Sequence, residues 1–126
     1  MTPQPAWRAA APSLALGAIL ALGAQAVFGA ATPLNSTPTR YAALIHPPRM
    51  IRMRFSEAIV KKSSDVSLTD LAGRPVPVTP VKIRDKDSLE VRIASKLGPG
   101  VYMVHWTAVS AVDGSKASGR YQFTVQ

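Results

Sequence analysis

The chain has 126 residues, with 15 lysines and arginines, seven aspartates and glutamates, and no cysteine. This length suits one small domain, and the lack of cysteine excludes both disulfides and thiolate metal sites. The formal net charge of +8 favours anionic partners or surfaces. Nucleic acid is not expected among these partners, because the basic residues are spread along the chain without compact runs or interleaved aromatic residues.

The amino-terminal segment has the layout of an export signal. Arg8 is the only charged residue among the first 39, and an uninterrupted run of apolar and small residues follows it at 14–22. Small residues at alternate positions of the following Gly23-Ala-Gln-Ala26 then offer a cleavage site, so the segment predicts a secretory signal peptide and export across a membrane. An uncleaved membrane anchor is the alternative, although residues 13–30 are only marginally long enough to span a bilayer.

The cleavage point is not fixed by the sequence. Small side chains permit cleavage after Ala26, or further on near Ala30 or Ala31. We take residues 1–31 as the signal peptide and residues 32–126 as a single β-domain.

Short segments of alternating apolar and polar residues fill this domain. In the segment 50–56, Ile51, Met53 and Phe55 fall on one side of a strand,. Residues 65–70, 81–84 and 89–93 continue this pattern between turns that are rich in proline and glycine. Short alternating strands with turn signals every 8–12 residues or so predict an all-β protein, namely an immunoglobulin-like antiparallel β-sandwich of about seven strands.

The last 26 residues predict a hairpin that closes at Asp113-Gly114. Tyr102, Val104 and Trp106 share one face of its first strand, and Met103 and His105 share the other,. The predicted core collects the inward residues of all strands, with Trp106 expected to bury the largest area. Its members are Leu44, Ile51, Met53, Phe55, Val66, Leu68, Leu89, Val91, Tyr102, Val104, Trp106, Phe123 and Val125.

A series of short motifs runs in order through nearly the whole chain after residue 31. The motifs are Leu34-Asn-Ser-Thr-Pro38, Pro47-Pro48, Arg54-Phe-Ser-Glu57, Val66-Ser-Leu-Thr-Asp70, Ala72-Gly-Arg-Pro-Val76, Leu89-x-Val91, Gly98-Pro-Gly-x-Tyr102-x-Val-x-Trp106, Asp113-Gly114, Gly119 and Phe123-Thr-Val125. In this order and spacing the chain resembles the CopC family of periplasmic copper-binding proteins.

The resemblance implies a copper(II) site at one end of the sandwich. In the family, copper(II) is held by a histidine at the mature amino terminus, by an Asp-x-His turn and, in some members, by the glutamate of Phe-Ser-Glu. The matching positions here are Ala31, Asp113 with Ser115, and Glu57. Glu57 and Asp113 are therefore the retained candidate ligands, whereas both imidazoles are replaced.

Each retained carboxylate also has a structural interpretation. Asp113 lies seven residues after Trp106, whereas six is usual in the family, and one extra residue in a strand reverses the side-chain direction. Asp113 is then a turn-former, and Glu57 is a solvated residue at a strand end. Two carboxylates without imidazole favour hard cations over copper(II).

The remaining candidate ligands are histidines and methionines. His46 and His105 offer imidazoles, and the thioethers of Met50, Met53 and Met103 suit copper(I),. Met103 and His105 share an outer strand face and Met50 points outward on another strand, so one interpretation is an exposed cluster of methionine and histidine ligands. The simpler interpretation is a surface pair with Met53 in the core.

Two functions from different classes follow, and neither is enzymatic, because no nucleophile or phosphate-loop motif is present. The first is a periplasmic protein that binds copper and passes it to a membrane partner such as an inner-membrane copper transporter. The second is a metal-free module that docks its basic face on a protein or an anionic surface, with contact to the membrane only through the signal peptide or this face. The candidate basic residues are Arg52, Arg54, Arg92 and Arg120. The oligomeric state is not predicted.

Overall fold

The computed structural model describes residues 30–126. The predicted signal peptide falls on residues 1–31, and its first 29 residues lie outside the described part of the chain. Within the described part, no helix is long and apolar enough to cross a membrane.

Nine strands and one short 3₁₀ turn, Lys61–Ser63, make up the regular structure of the described residues. The strands are Pro33–Thr37 (β1), Ala43–Leu44 (β2), Met50–Phe55 (β3), Asp65–Asp70 (β4), Pro75–Val76 (β5), Lys82–Arg84 (β6), Ser88–Arg92 (β7), Gly100–Val109 (β8) and Lys116–Val125 (β9). Two of them, β2 and β5, have only two residues each, which explains why the sequence pattern indicated about seven.

The strands form two sheets packed face to face. One sheet has four strands in the order β1-β3-β7-β6, and the other has five in the order β2-β9-β8-β4-β5. All pairs are antiparallel apart from β2 with β9. The predicted β-sandwich is confirmed.

The hairpin of β8 and β9 is the longest element pair. Ten residues of each strand pair in unbroken register, from Gly100 opposite Val125 to Val109 opposite Lys116. Gly114 has a φ of +77°, a backbone conformation that glycine adopts without steric cost. The hairpin therefore closes where the Asp-Gly pair predicted it.

The core lies between the sheets and contains eleven of the thirteen predicted residues. The two exceptions, Leu44 and Trp106, are partly buried and pack against its margin. The largest fully buried side chains are Phe55 and Phe123, whereas Trp106, which was expected in the interior, is only partly buried. Its indole lies over Gly119 of the neighbouring strand β9.

Candidate metal site at the hairpin end

The loop that follows β3 is tied to the turn between β8 and β9. Ile59 forms an isolated bridge with Ser110, and the amide of Ala111 donates to the carbonyl of Ala58 at 2.8 Å. Because Glu57 directly precedes this tied segment, its side chain is brought to the hairpin turn.

Ser110 connects the loop after β3 to the hairpin turn at this end of the sandwich. It is 0% exposed, and its hydroxyl donates a hydrogen bond of 2.6 Å to Glu57 Oε1. Ser110 Oγ also accepts a hydrogen bond of 3.0 Å from the backbone N–H of Val112. A buried hydroxyl costs free energy unless it is hydrogen-bonded, and here both its donor and its acceptor are used.

Asp113 lies on the same turn but is exposed. Its Oδ1 accepts the Ser115 hydroxyl at 2.7 Å and the Ser115 amide at 2.9 Å. The Ser115 hydroxyl, and after it the Ser115 amide, lower the pKa of the Asp113 carboxyl. Asp113 thus stabilises the turn through the residue that stands where the family has its histidine.

The amino-terminal end of the described chain reaches the same region. Thr32 N donates to Ser56 Oγ at 2.9 Å, and Ser56 N donates to Thr32 O at 2.9 Å. Ala31, at the position of the family's terminal histidine, is 2% exposed. Residues 31 and 32 therefore lie beside the Ser56-Glu57 corner.

The donor set at this end does not fit an imidazole-type copper(II) site. Glu57 and Asp113 supply carboxylate oxygens, Ala31 and Ser115 replace the nitrogen donors, and copper(II) prefers nitrogen with oxygen in tetragonal geometry. Across residues 30–126, no group of three or more histidine, aspartate or glutamate side chains is arranged to hold a metal ion.

Met103 and His105 lie in the middle of the five-stranded sheet, on its outer face. Both are half-buried, and the His105 ring nitrogen Nε2 is 3.0 Å from Thr69 Oγ1. Met50 begins β3 in the four-stranded sheet, so the structure does not bring it to this pair. Met53 is 2% exposed in the core, as the simpler interpretation predicted.

His46 lies at the opposite end of the sandwich. It precedes β3 and is exposed, whereas Glu57 follows β3, and a strand of this length spans about 20 Å. The five candidate ligands thus fall at three separate places: the hairpin end, the outer face of the five-stranded sheet, and the His46 end.

The predicted basic face is also divided by the fold. Arg52 and Arg54 lie on β3 and form ion pairs with Asp85 at 3.4 Å and Asp87 at 3.3 Å. Arg120 lies on β9 in the other sheet. A single docking face made of the four predicted arginines does not exist.

Ser110 was missed by the sequence analysis, although the signal was present. The inward positions of β8 are the even-numbered residues, and continuing this alternation beyond Trp106 puts Ala108 and Ser110 on the inner face. A polar residue at an inward position needs a hydrogen-bond partner, which here is Glu57.

The fold and the two carboxylates at the hairpin end, Glu57 and Asp113, define a class of protein. It is a small immunoglobulin-like β-sandwich with carboxylates at the turn of its longest hairpin. Comparison with known families gives the same result, since the CopC domain matches residues 34–126. The chain belongs to the CopC family.

Individual relatives agree with this assignment. Protein YobA from Escherichia coli K12 is 34% identical over 91 residues, which cover 71% of this chain and 73% of that protein. PcoC from Escherichia coli, described as a methionine rich copper resistance protein, superposes with a TM-score of 0.70 at 30% identity, covering 78% of this chain and all of PcoC. CopC from Methylosinus trichosporium OB3b has a TM-score of 0.70 at 23% identity, covering 76% of this chain and 93% of that one, which shows likeness of fold.

Proposed function

We propose that this protein works in periplasmic copper homeostasis, as a carrier that holds copper weakly and passes it to a membrane partner such as an inner-membrane copper transporter. The observation that carries the proposal is membership of the CopC family over the whole β-domain. The copper resistance role described for PcoC, at 30% identity, supports the choice of metal.

The proposed copper(II) position is the hairpin end. Glu57 and Asp113 are its oxygen donors, and both carboxylates are already held in place by hydrogen bonds from Ser110 and Ser115. Two carboxylates hold copper(II) less firmly than a site with imidazoles does. Weak holding suits a carrier, because the ion must leave the site to reach the next protein.

Export would supply one nitrogen donor at this end. Cleavage after Ala31 turns Thr32 N into the α-amino group of the mature protein, and that nitrogen lies 2.9 Å from Ser56 Oγ, next to Glu57 in the chain. An amine with two carboxylates is a better copper(II) donor set than the carboxylates alone. The proposed site therefore consists of Thr32 N, Glu57 and Asp113.

A competition titration tests this proposal. The signal-cleaved domain beginning at Thr32 is titrated with copper(II) against a chelator of known affinity, and again with copper(I) under reducing conditions. We expect copper(II) binding that the double variant Glu57→Gln, Asp113→Asn weakens by at least about tenfold, as removal of charged donors does.

Two matched proteins complete the design. Asp85→Asn removes an exposed carboxylate that lies in the β6–β7 turn, away from the site, and should bind copper like the parent. A domain extended by two residues before Thr32 buries the amine in a peptide bond and should bind copper(II) more weakly. Absence of binding in both redox states would reject the carrier function.

A further inference from the structure

A surface cavity of about 590 Å³ lies at the His46 end of the sandwich, between the segment that enters β3 and the segment that leaves β7. Its wall includes the cationic side chains of Arg49, Arg92 and Lys96 together with His46. No aspartate or glutamate lines it. The copper function proposed above makes no use of this cavity.

The three cations have no anionic partner within residues 30–126. All seven acidic residues of the protein lie in this part of the chain, and four of them are committed to other arginines. These ion pairs are Arg52 with Asp85, Arg54 with Asp87, Arg74 with Asp70, and Arg84 with Glu90. The other three acids are Asp65, which begins β4, and Glu57 and Asp113, which lie at the hairpin end.

Electrostatics therefore favours an anion in this cavity. Like charges that share a concave surface raise the local potential and concentrate counter-ions, and the same potential opposes a copper ion at His46. Arginine guanidinium groups offer paired N–H donors that match the oxygens of phosphate, and lysine adds a point charge. The Ser95 hydroxyl, which also lines the cavity, is a further donor without a hydrogen-bond partner among the described residues.

A second cavity extends the first one over an apolar surface. It has a volume of about 350 Å³ and shares Pro47 and Lys96 with the cationic cavity. The rest of its lining is apolar apart from Gln126, namely Ile45, Leu97, Gly98, Pro99 and Val125. Ile45 is 73% exposed. A cationic hollow that opens on an apolar one suits a ligand with a charged head and an apolar body.

We infer that the cavity of Arg49, Arg92 and Lys96 binds the phosphate group of an amphipathic phosphate ester. The guanidinium and ammonium groups contact the phosphate oxygens, and the apolar part of the ester lies against Ile45 and Pro99. This site is independent of copper and of the hairpin end.

The first test uses inorganic phosphate and backbone amide NMR on the signal-cleaved domain at constant ionic strength. Saturable shifts are expected at the amides of His46, Arg49 and residues 92–96. The triple variant Arg49→Gln, Arg92→Gln, Lys96→Gln should raise the Kd at least about tenfold, since hydrogen bonds to charged groups are lost. The control variant Lys82→Gln, Lys116→Gln, Arg120→Gln loses the same charge on other surfaces and should keep the parent Kd.

The second test identifies the source of the phosphate. Sedimentation with phosphatidylglycerol vesicles, compared with phosphatidylcholine vesicles, should retain the parent and the control variant but not the triple variant if the ester is a lipid headgroup. Phosphate binding without retention on vesicles assigns the site to a soluble ester. Equal losses of phosphate affinity in the two triple variants, or shifts that do not saturate, would overturn the inference.

Discussion

The indole of Trp106 occupies the space that a side chain at Gly119 would need. A Cβ atom built on Gly119 lies 2.8 Å from Trp106 Cζ2, a separation that real Cβ atoms do not show. The two residues are opposite each other in the β8–β9 ladder, and the indole also packs on Phe55 with ring centroids 5.4 Å apart. The lack of a side chain at Gly119 therefore makes room for the indole of Trp106, and Gly119 is not a turn residue.

Gly119→Ala should destabilise the domain, because the added methyl group must push the indole of Trp106 away from β9 or out of its contact with Phe55. Overpacking of this kind costs about 1–3 kcal/mol. Urea unfolding monitored by tryptophan fluorescence measures both the loss of stability and the change around the indole. Gly98→Ala is the matched control, since a Cβ there meets no atom within 4 Å. Equal midpoints for the two variants would contradict the packing argument.

Trp106→Ala should cost less than truncation of a smaller aromatic residue in the core. Phe123 is 0% exposed, and Phe123→Ala should remove about 3–5 kcal/mol of unfolding free energy. Trp106 is only partly buried, so we expect roughly 2 kcal/mol from its truncation. Chemical denaturation of both variants gives the order directly, and a larger loss for Trp106→Ala would show that the indole carries more of the core than its exposure indicates.

Most of the fold could be predicted from the sequence because a half-buried strand needs alternation, and alternation is visible in the chain. Ile51, Met53 and Phe55 were assigned inward and are buried. Trp106 was assigned to the right face but to the wrong depth. Alternation gives the side of a sheet, whereas the exposure of a residue on that side depends on what the rest of the fold packs over it, because Trp106 is only partly buried although β8 is the central strand of its sheet.

The site was less predictable because it depends on contacts between segments far apart in the chain. The hydrogen bond between Glu57 and Ser110 joins residues 53 positions apart, and no local pattern shows it. The local bonds between Asp113 and Ser115 follow the common behaviour of aspartate in turns, so that role was foreseeable. His46 was considered as a copper ligand because the sequence does not show that Arg92 and Lys96, from β7 and the segment after it, lie beside it.

Tyr121→Phe should be neutral or stabilising. The Tyr121 hydroxyl is buried and has no hydrogen-bond partner within residues 30–126, and an unpartnered buried hydroxyl opposes folding. Tyr102→Phe is the control, because the Tyr102 hydroxyl donates to Gly98 O at 2.8 Å and its loss should cost about 0.5–1.5 kcal/mol. Thermal unfolding at neutral pH compares the two, and a loss of stability in Tyr121→Phe would mean that its hydroxyl is hydrogen-bonded.

Tyr121 also predicts a response to alkali. Burial raises the pKa of Tyr121 to about 12, and the nearby Ser36 hydroxyl, which does not reach hydrogen-bond geometry with the phenol, opposes this rise more weakly. A raised folded-state pKa gives stability that is complete below the unfolded-state value of about 10 and is lost as the pH rises towards 12. Tyr121→Phe should therefore lose less stability than the parent between these two pH values, as measured by urea unfolding at each pH. Equal losses would contradict the burial of the phenol.

Copper(I) provides a separate test of the outer face. If Met103 and His105 bind it, Met103→Leu with His105→Ala should weaken copper(I) affinity while the melting temperature changes little, because both side chains lie on the outer face of the sheet. Thr69→Val is a useful third variant, since it removes the hydroxyl that is 3.0 Å from His105 Nε2 and leaves both candidate ligands. Unchanged copper(I) affinity in the double variant would remove this pair from the list of ligands.

The Asp113 carboxylate predicts the response of the hairpin turn to acid. Its pKa is lowered, chiefly by the Ser115 hydroxyl and amide, so its contribution to stability is present above the unfolded-state value of about 3.9 and is lost as the pH falls through the folded-state value. Asp113→Asn keeps the Oδ1 acceptor but cannot titrate, and its stability should fall less than that of the parent on acidification. Asp65→Asn removes another exposed carboxylate and is the control for charge alone. Urea unfolding at neutral and acid pH measures the difference, and parallel losses in the parent and Asp113→Asn would mean that the two bonds from Ser115 do not depend on the charge of Asp113.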